Sequence, residues 1–514
     1  MFFGDWLQRR AMLSPSKVAL IDAINDNQPI TYWSWNQRVN RLANFLRDGL
    51  GIRKGDRVSI YAMNRVEYLD ALFACNKLGA ILHVNNWRLK PRELEPLIND
   101  VAPRVLLYSQ EFAGQVDELR PRLSSVQHYI GLDQVTDDQD IHWPTERSNW
   151  PQTQPPPVEL DWENPWIICY TGGTTGLPKG AILPYRSITA NSVNTIVSWG
   201  LRPDDVVPQY MPFFHTGGLN CLTLPLVHLG GTSIVCAGFD IDQLFDQIEN
   251  LGVTFFFGVP TMLLAIIQHP RWESLDLSNV RLVMSGGGRC PTVIYEAFWE
   301  KGVEFKEGYG LTEAGPNTFW LPSEYARSKI GSVGRPLFHV DVKLVNEAGE
   351  EVGPGEVGHL LIRGPHVFGG YWNRPEATAE TIVDGWLHTG DLARRDEDGD
   401  YYIVGRLKDM IKSGGENIYP AEVEDVMHSH PAIAEAALIP VPDPKWGEVG
   451  RAIVVLKPGA TLTETDLRDW LRERMAHYKV PKSVLFVDSL PKTGANKVDK
   501  QRLIEQFGSS EQEG

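Results

Sequence analysis

The sequence predicts an α/β protein, with a large N-terminal domain of βα-wound sheets and a small α+β C-terminal domain. Three observations predict this. Helix and strand signals alternate from the N-terminus to about Trp320, which is the rhythm of a mostly parallel sheet covered by helices. Alternating, half-exposed strands then replace them at Val340–Val345 and His359–Arg363. From about Lys408 the units become short, so the boundary falls at Gly405–Asp409, with 1–405 the large domain and 406–514 the small one.

The elements follow in order. Tyr32–Leu50 reads as an amphipathic helix ending near Gly51, and Asp56–Tyr61 as a strand. Glu67–Leu78 reads as a helix closed by Gly79, where a missing Cβ suits a C-cap. Arg104–Tyr108 is another strand, and the Pro-rich run Gln152–Pro165 is a linker or loop. The most apolar stretch, Leu251–Ile267, is broken by Gly258 and Pro260 and reads as a buried strand, a turn and a helix start, not a membrane span. In the small domain, helix Ala421–His428, strands Ala436–Ile439 and Ala452–Leu456, and helix Thr463–Met475 are expected. That last helix carries Leu467, Trp470, Leu471 and Met475 on one face. A disordered tail is expected from Gly508.

Composition narrows the class. With 49 Lys+Arg against 65 Asp+Glu the chain carries a formal charge of −16 over 514 residues. That argues against a nucleic-acid coat, which needs a basic footprint. Five scattered cysteines without a CxxC pair fit reduced, buried thiols in the cytoplasm. No secretory leader, integral membrane segment or lipidation address is read at either end.

Five segments carry chemistry. Tyr170–Gly180 (YTGGTTGLPKG) leaves the apolar strand Trp166–Cys169 as a loop of glycines, threonines and one lysine. Converging N–H groups, hydroxyls and a point charge suit a phosphate, although the loop is neither a Walker nor a dinucleotide pattern. Gly308–Glu313 (GYGLTE) follows Ser285–Gly288 (SGGG) and offers a ring, a hydroxyl and a hard carboxylate. Gly385–Asp391 (GWLHTGD) puts an aspartate at a turn, where ribose hydroxyls could be held. Gly405–Glu416 (GRLKDMIKSGGE) marks the domain boundary, and Pro491–Lys497 (PKTGANK) is a polar turn. Each alone is also a plausible surface loop or turn.

In this order and at these spacings the set resembles the adenylate-forming superfamily of acyl-CoA synthetases, nonribosomal adenylation domains and beetle luciferases. Lys77–Ala80 (KLGA) and Tyr371–Thr378 (YWNRPEAT) add to the match, which spans nearly the whole chain. The resemblance implies a small β-barrel-like subdomain in the large domain, and a mobile C-terminal domain. It implies an enzyme that activates a fatty or aryl acid with ATP and Mg²⁺ to an acyl-adenylate, releasing pyrophosphate, and then passes the acyl group to coenzyme A.

The resemblance also implies residue roles. Thr171, Gly173, Thr174, Thr175, Gly176 and Lys179 would hold the triphosphate. Glu313 would hold the metal and Thr312 would meet the α-phosphate. Gly286, Gly287, Gly288 and Tyr309 would sandwich the adenine, and Asp391 with Arg406 would bind the ribose. Lys497 would be the catalytic cation of the first step. Lys408 would be the hinge, and Gly414 and Gly415 would line the pantetheine tunnel after rotation. Phe214, Gly217, Phe257 and Gly310 would line the acid pocket, joined by Phe256, Val259 and Gly218, with His215 at the tunnel. No cation appears in those pocket stretches, and the lining is apolar.

Two departures from the family pattern stand out: Gly172 where a serine is usual, and Glu307 where an amide is common before GYG. Glu307 could still accept from the adenine amino group. The competing readings are a stand-alone module that loads a carrier protein's phosphopantetheine, and a non-catalytic nucleotide binder. Lys179, Glu313, Asp391, Arg406 and Lys497 argue against the latter. The partners implied are a small-molecule carboxylic acid, ATP and CoA, with a homodimer allowed.

Overall fold

The computed structural model describes residues 4–135, 137–171, 178–414, 416–493 and 497–509. The largest sheet has seven strands in the spatial order Ile141–His142, His128–Gly131, Val105–Tyr108, Arg57–Tyr61, Ile81–Val84, Pro165–Thr171 and Lys179–Pro184. All neighbours are parallel except the last pair, a hairpin in which Thr171 faces Lys179. The strands are apolar on both faces because helices cover both, as a parallel sheet requires. Helix Val66–Leu78 is buried along almost its whole length and stops at Gly79, whose φ of +64° favours glycine.

Two further parallel sheets complete the βα-wound part. One joins Val206–Gln209, Thr232–Val235 and Val18–Asp22, with Gln28–Thr31 added antiparallel. The other aligns Phe255–Gly258, Leu282–Ser285 and Glu304–Glu307, with Gly258, Ser285 and Glu307 in register at their carboxyl ends. An antiparallel sheet follows, in which Trp386–Arg395 pairs Val357–Arg363 on one edge and Ile382–Val383 and Tyr401–Arg406 on the other. Asp341–Val345 closes its outer side.

The small C-terminal domain builds its own core. Strands Ile411–Ser413, Glu416–Ile418, Ile433–Asp443, Gly447–Leu456 and Ser483–Phe486 form one sheet. Helices Pro420–His428 and Glu464–Arg472 bury Val423, Met427, Leu467 and Leu471 against it. Thr463 caps the second helix by accepting from Asp466 N at 3.2 Å.

Expected elements recur with shifted ends. The apolar stretch at 251–267 is strand Phe255–Gly258, a turn and helix Pro260–Ile267. Helix Tyr32–Asn44 does not run to Leu50 as an α-helix. Its last turn, Phe45–Gly49, is a wider π turn in which Leu50 N bonds to Phe45 O. Aromatic packing accompanies the change: the Phe45 ring lies 5.3 Å from Trp150 and 5.5 Å from Trp143. Among the described residues no helix is long and apolar enough to cross a membrane.

Candidate active site

Several of the expected site residues lie where strands end. In an open parallel sheet, ligands gather at the carboxyl edge, since loops there are free to diverge. Strand Pro165–Thr171 ends at the first glycine loop, and its hairpin partner begins with Lys179. Gly173, Thr174, Thr175 and Gly176 lie outside the described residues. Thr171 and Lys179 are paired at the base of that loop. Thr171 Oγ1 donates to Glu313 Oε1 at 3.2 Å, so the loop's base and the GYGLTE segment meet directly.

Glu313 sits on the short 3₁₀ turn Thr312–Ala314, and Thr312 beside it is buried. A second hydroxyl, Tyr371 Oη, also donates to Glu313 Oε1 at 2.9 Å. Lys179 Nζ lies over the same Tyr371 ring, 5.1 Å from its centroid. A carboxylate, hydroxyls and a nearby ammonium fit a magnesium ion that arrives on a polyphosphate. Such an ion takes one or two protein carboxylates and keeps phosphate and water as its other ligands.

The carboxyl ends of the three-stranded sheet supply the next group. Gly286–Gly288 follow strand Leu282–Ser285, and Tyr309 follows strand Glu304–Glu307. Tyr309 donates its hydroxyl to Asp391 Oδ2. The other Asp391 oxygen lies 3.4 Å from Arg406 Nε, because strand register places Asp391 opposite Arg406. Burial raises the Asp391 pKa, against the pull of Arg406, the Tyr309 hydrogen bond and Lys497.

Lys497 reaches this group from the small domain. A β-carbon on Gly287 would stand 3.1 Å from Lys497 Cε and 3.5 Å from Nζ. The residue keeps exposed surface, yet its ammonium end is ringed by protein. Desolvation lowers its pKa first, then the like charge of Arg406, while Asp391 opposes both. Arg289, one residue after Gly288, adds a second tie across the domains, an ion pair with Asp425 at 2.9 Å.

On the acid side, His215 is neutral, its pKa lowered to about 4 by burial and then by Lys497 and Arg88. Its Nδ1 accepts from Gly217 N at 3.0 Å, so the proton stands on Nε2. Phe214 is buried beside it. Phe257 lies 2.9 Å from where a Cβ on Gly286 would be. Strand alternation sends Phe256 to the face opposite Phe257, where it packs edge-on against Phe298, away from the expected acid pocket.

Two glycines expected to line the acid pocket are also required by their own chain. A Cβ on Gly310 would stand 1.7 Å from Pro316 O, and one on Gly218 2.2 Å from Pro212 O. Glu307 does not wait for a ligand either. Its carboxylate accepts from Cys290 N and from Tyr295 Oη, each at 2.5 Å, and burial raises its pKa to about 7. It anchors the end of the SGGG loop.

Gly414 has a φ of +60°, and the three atoms nearest its would-be Cβ all belong to Trp446 of the small domain. Gly415 lies outside the described residues. Lys408 is exposed on the short turn Leu407–Asp409, between the antiparallel sheet and the small domain.

Three features escaped the sequence reading. Tyr371 lies in YWNRPEAT, a segment noted only as part of the resemblance. Arg88, from the loop after strand Ile81–Val84, stands 4.6 Å over the Trp87 ring and 5.8 Å from the Phe214 ring. It places a cation near Phe214, in an expected pocket whose own stretches hold none, and its position at a strand's carboxyl end was the available signal. The Arg289–Asp425 pair joins residues too far apart in sequence to be foreseen.

Two family models match this chain. The AMP-binding enzyme model covers residues 7–372, and the AMP-binding enzyme C-terminal domain model covers residues 422–497. A feruloyl-CoA synthase of Amycolatopsis sp is 42% identical over 506 residues, covering 98% of this chain and 99% of that protein. An indoleacetate–CoA ligase of Aromatoleum aromaticum is 37% identical, covering 97% of each. The solved o-succinylbenzoate CoA synthetase of Bacillus subtilis, in complex with its acyl-adenylate intermediate, superposes with a TM-score of 0.86 at 31% identity over 97% of this chain and 98% of that one. The chain belongs to the AMP-binding enzyme family, and within it is an ATP-dependent acid–CoA ligase that forms an acyl-adenylate and transfers the acyl group to CoA.

Proposed function

We propose that the acid is an aryl acid of the hydroxycinnamate kind, activated with MgATP in the arrangement described above. The observation that carries this is the full-length similarity to a feruloyl-CoA synthase at 42% identity. The aromatic side chains of Phe214 and Phe257, both expected at the acid pocket, support it, since flat rings stack favourably on one another. Two anionic reactants must meet, so cations and N–H donors have to offset the charge in the transition state.

Lys497 bridges carboxylate and α-phosphate, and Thr312 donates to the α-phosphate. Lys179, with Thr171 and the glycine–threonine loop, holds the outer phosphates. Glu313 would hold Mg²⁺, which when bound would offset charge on the phosphates. The Bacillus subtilis relative, solved with ATP and a magnesium ion, supports that choice of metal. Tyr309 and Gly286–Gly288 flank the adenine, and Asp391 and Arg406 hold the ribose. After adenylation the small domain (406–514) turns about Lys408, withdraws Lys497 and brings Gly414 and Gly415 to the pantetheine path, with His215 at its inner end. The setting is the cytoplasm, and a homodimer is the assembly to be checked by light scattering.

The test is ATP–pyrophosphate exchange across ferulate, 4-coumarate, indoleacetate, 2-succinylbenzoate and a medium-chain fatty acid, followed by thioester formation with CoA. Ferulate or 4-coumarate should give the highest kcat/KM. A preference for the fatty acid would overturn the aryl reading.

A further inference from the structure

We infer that Tyr371 is a positioning residue for the adenylation half-reaction, orienting the Glu313 carboxylate with its hydroxyl and seating the Lys179 ammonium on its ring. The inference rests on the roles proposed above for Glu313 and Lys179.

Tyr371 is held by its backbone. Gly369 N donates to Ile182 O at 2.8 Å, Ile182 N to Gly370 O at 2.9 Å, and Trp372 N to Gly180 O at 2.7 Å. These bonds zip Gly369–Trp372 onto the strand that begins with Lys179. Gly370 turns at φ +109°, and a Cβ there would stand 2.6 Å from Thr378 Cγ2. Thr378 Oγ1 accepts from Tyr371 N at 2.8 Å. On the other side, Phe368 N donates to Glu313 O at 2.9 Å, so the Glu313 backbone is tied to the same segment.

From this seat one side chain serves both charged groups. Its hydroxyl and that of Thr171 both donate to Glu313 Oε1, at 2.9 and 3.2 Å. Among the described residues no donor reaches Oε2, which leaves that oxygen for a cation. Magnesium demands near-octahedral geometry, so a carboxylate fixed in advance binds it with less reorganisation. The Tyr371 ring lies 5.1 Å from Lys179 Nζ, where its electron-rich face attracts the ammonium.

The two functions separate in two variants. Tyr371→Phe keeps the ring and loses the hydroxyl, while Tyr371→Leu loses both. Binding of a non-hydrolysable ATP analogue is followed by calorimetry over a range of Mg²⁺ concentrations, alongside pyrophosphate exchange and thioester formation from supplied acyl-adenylate. Tyr371→Phe should need about fivefold more Mg²⁺ for analogue binding and for exchange, with high Mg²⁺ restoring most of the rate. Thioester formation should stay within about twofold. Tyr371→Leu should also weaken analogue binding without metal.

An unchanged Mg²⁺ dependence in Tyr371→Phe, or equal loss in both half-reactions with a lowered Tm, would overturn the inference. Glu313→Gln and Lys179→Met are the controls for the underlying roles. If they leave the Mg²⁺ and analogue curves unmoved while the tyrosine variants shift them, the role assignments fail and not the tyrosine effect.

Discussion

Lys497 of the small domain stands over Gly287 of the large one, with Cε 3.1 Å from where a Cβ on Gly287 would be. The contact brings the small domain's lysine to the loop expected to flank the adenine. Gly287 has a φ of +80°, so an added Cβ is strained in its own backbone as well as crowding Lys497. Gly287→Ala is expected to cut pyrophosphate exchange by about tenfold or more, while sparing thioester formation from supplied acyl-adenylate. Parallel assays of the two half-reactions check this.

The Arg289–Asp425 pair spans the two domains in the same arrangement. Both side chains are partly exposed, so the pair is worth about 0.5–1 kcal/mol, or roughly two- to fivefold in a domain equilibrium. Asp425→Arg should slow exchange by about that factor or more, and the swap Arg289→Asp with Asp425→Arg should recover it. Added salt should slow the wild type towards the single variant. A swap no better than the single variant would show that the pair does not hold this arrangement.

Glu307 makes stability depend on pH. The folded protein keeps its proton up to about pH 7, whereas the ordinary value is 4.5. In that window the fold binds more protons than the unfolded chain, so this contribution is full below pH 4.5 and is lost as pH rises towards 7. Glu307→Gln cannot titrate. Its unfolding free energy should therefore fall less between pH 4.5 and 7 than that of the wild type, as urea melts across the range would report.

Gly310→Ala should act on folding before it acts on catalysis. Its Cβ would stand 1.7 Å from a backbone oxygen, which cannot move as a side-chain end can. The expected loss is about 1–3 kcal/mol or more, read as a lowered Tm, with KM for the acid little changed in whatever protein remains folded.

The fold was legible wherever local chemistry decides. Gly79 closes a helix, Gly258 and Pro260 break an apolar run, and strand ends carry the glycine loops. Motif order brought Thr171, Glu313, Asp391 and Arg406 to one list; a side-chain hydrogen bond joins the first two, and strand register sets the last two opposite each other. What was not legible depends on contacts that no motif or local pattern specifies. Gly310 reads as a pocket-lining position, and only the fold shows that the Pro316 backbone also requires a glycine there. Glu307 reads as an adenine acceptor, and only the fold shows that Tyr295 and Cys290 each donate to it. Tyr371 reads as a motif letter until its hydroxyl is found on Glu313. The π turn at Phe45–Gly49 comes with packing on Trp143 and Trp150, about a hundred residues away.

The most direct measurement is of both half-reactions in Lys497→Ala, with ferulate, MgATP and pyrophosphate in the absence of CoA for the first and synthetic feruloyl-adenylate with CoA for the second. Pyrophosphate exchange should fall by at least about a hundredfold, while thioester formation from the supplied adenylate stays close to wild type. Equal loss of both steps, or exchange that survives the substitution, would contradict it.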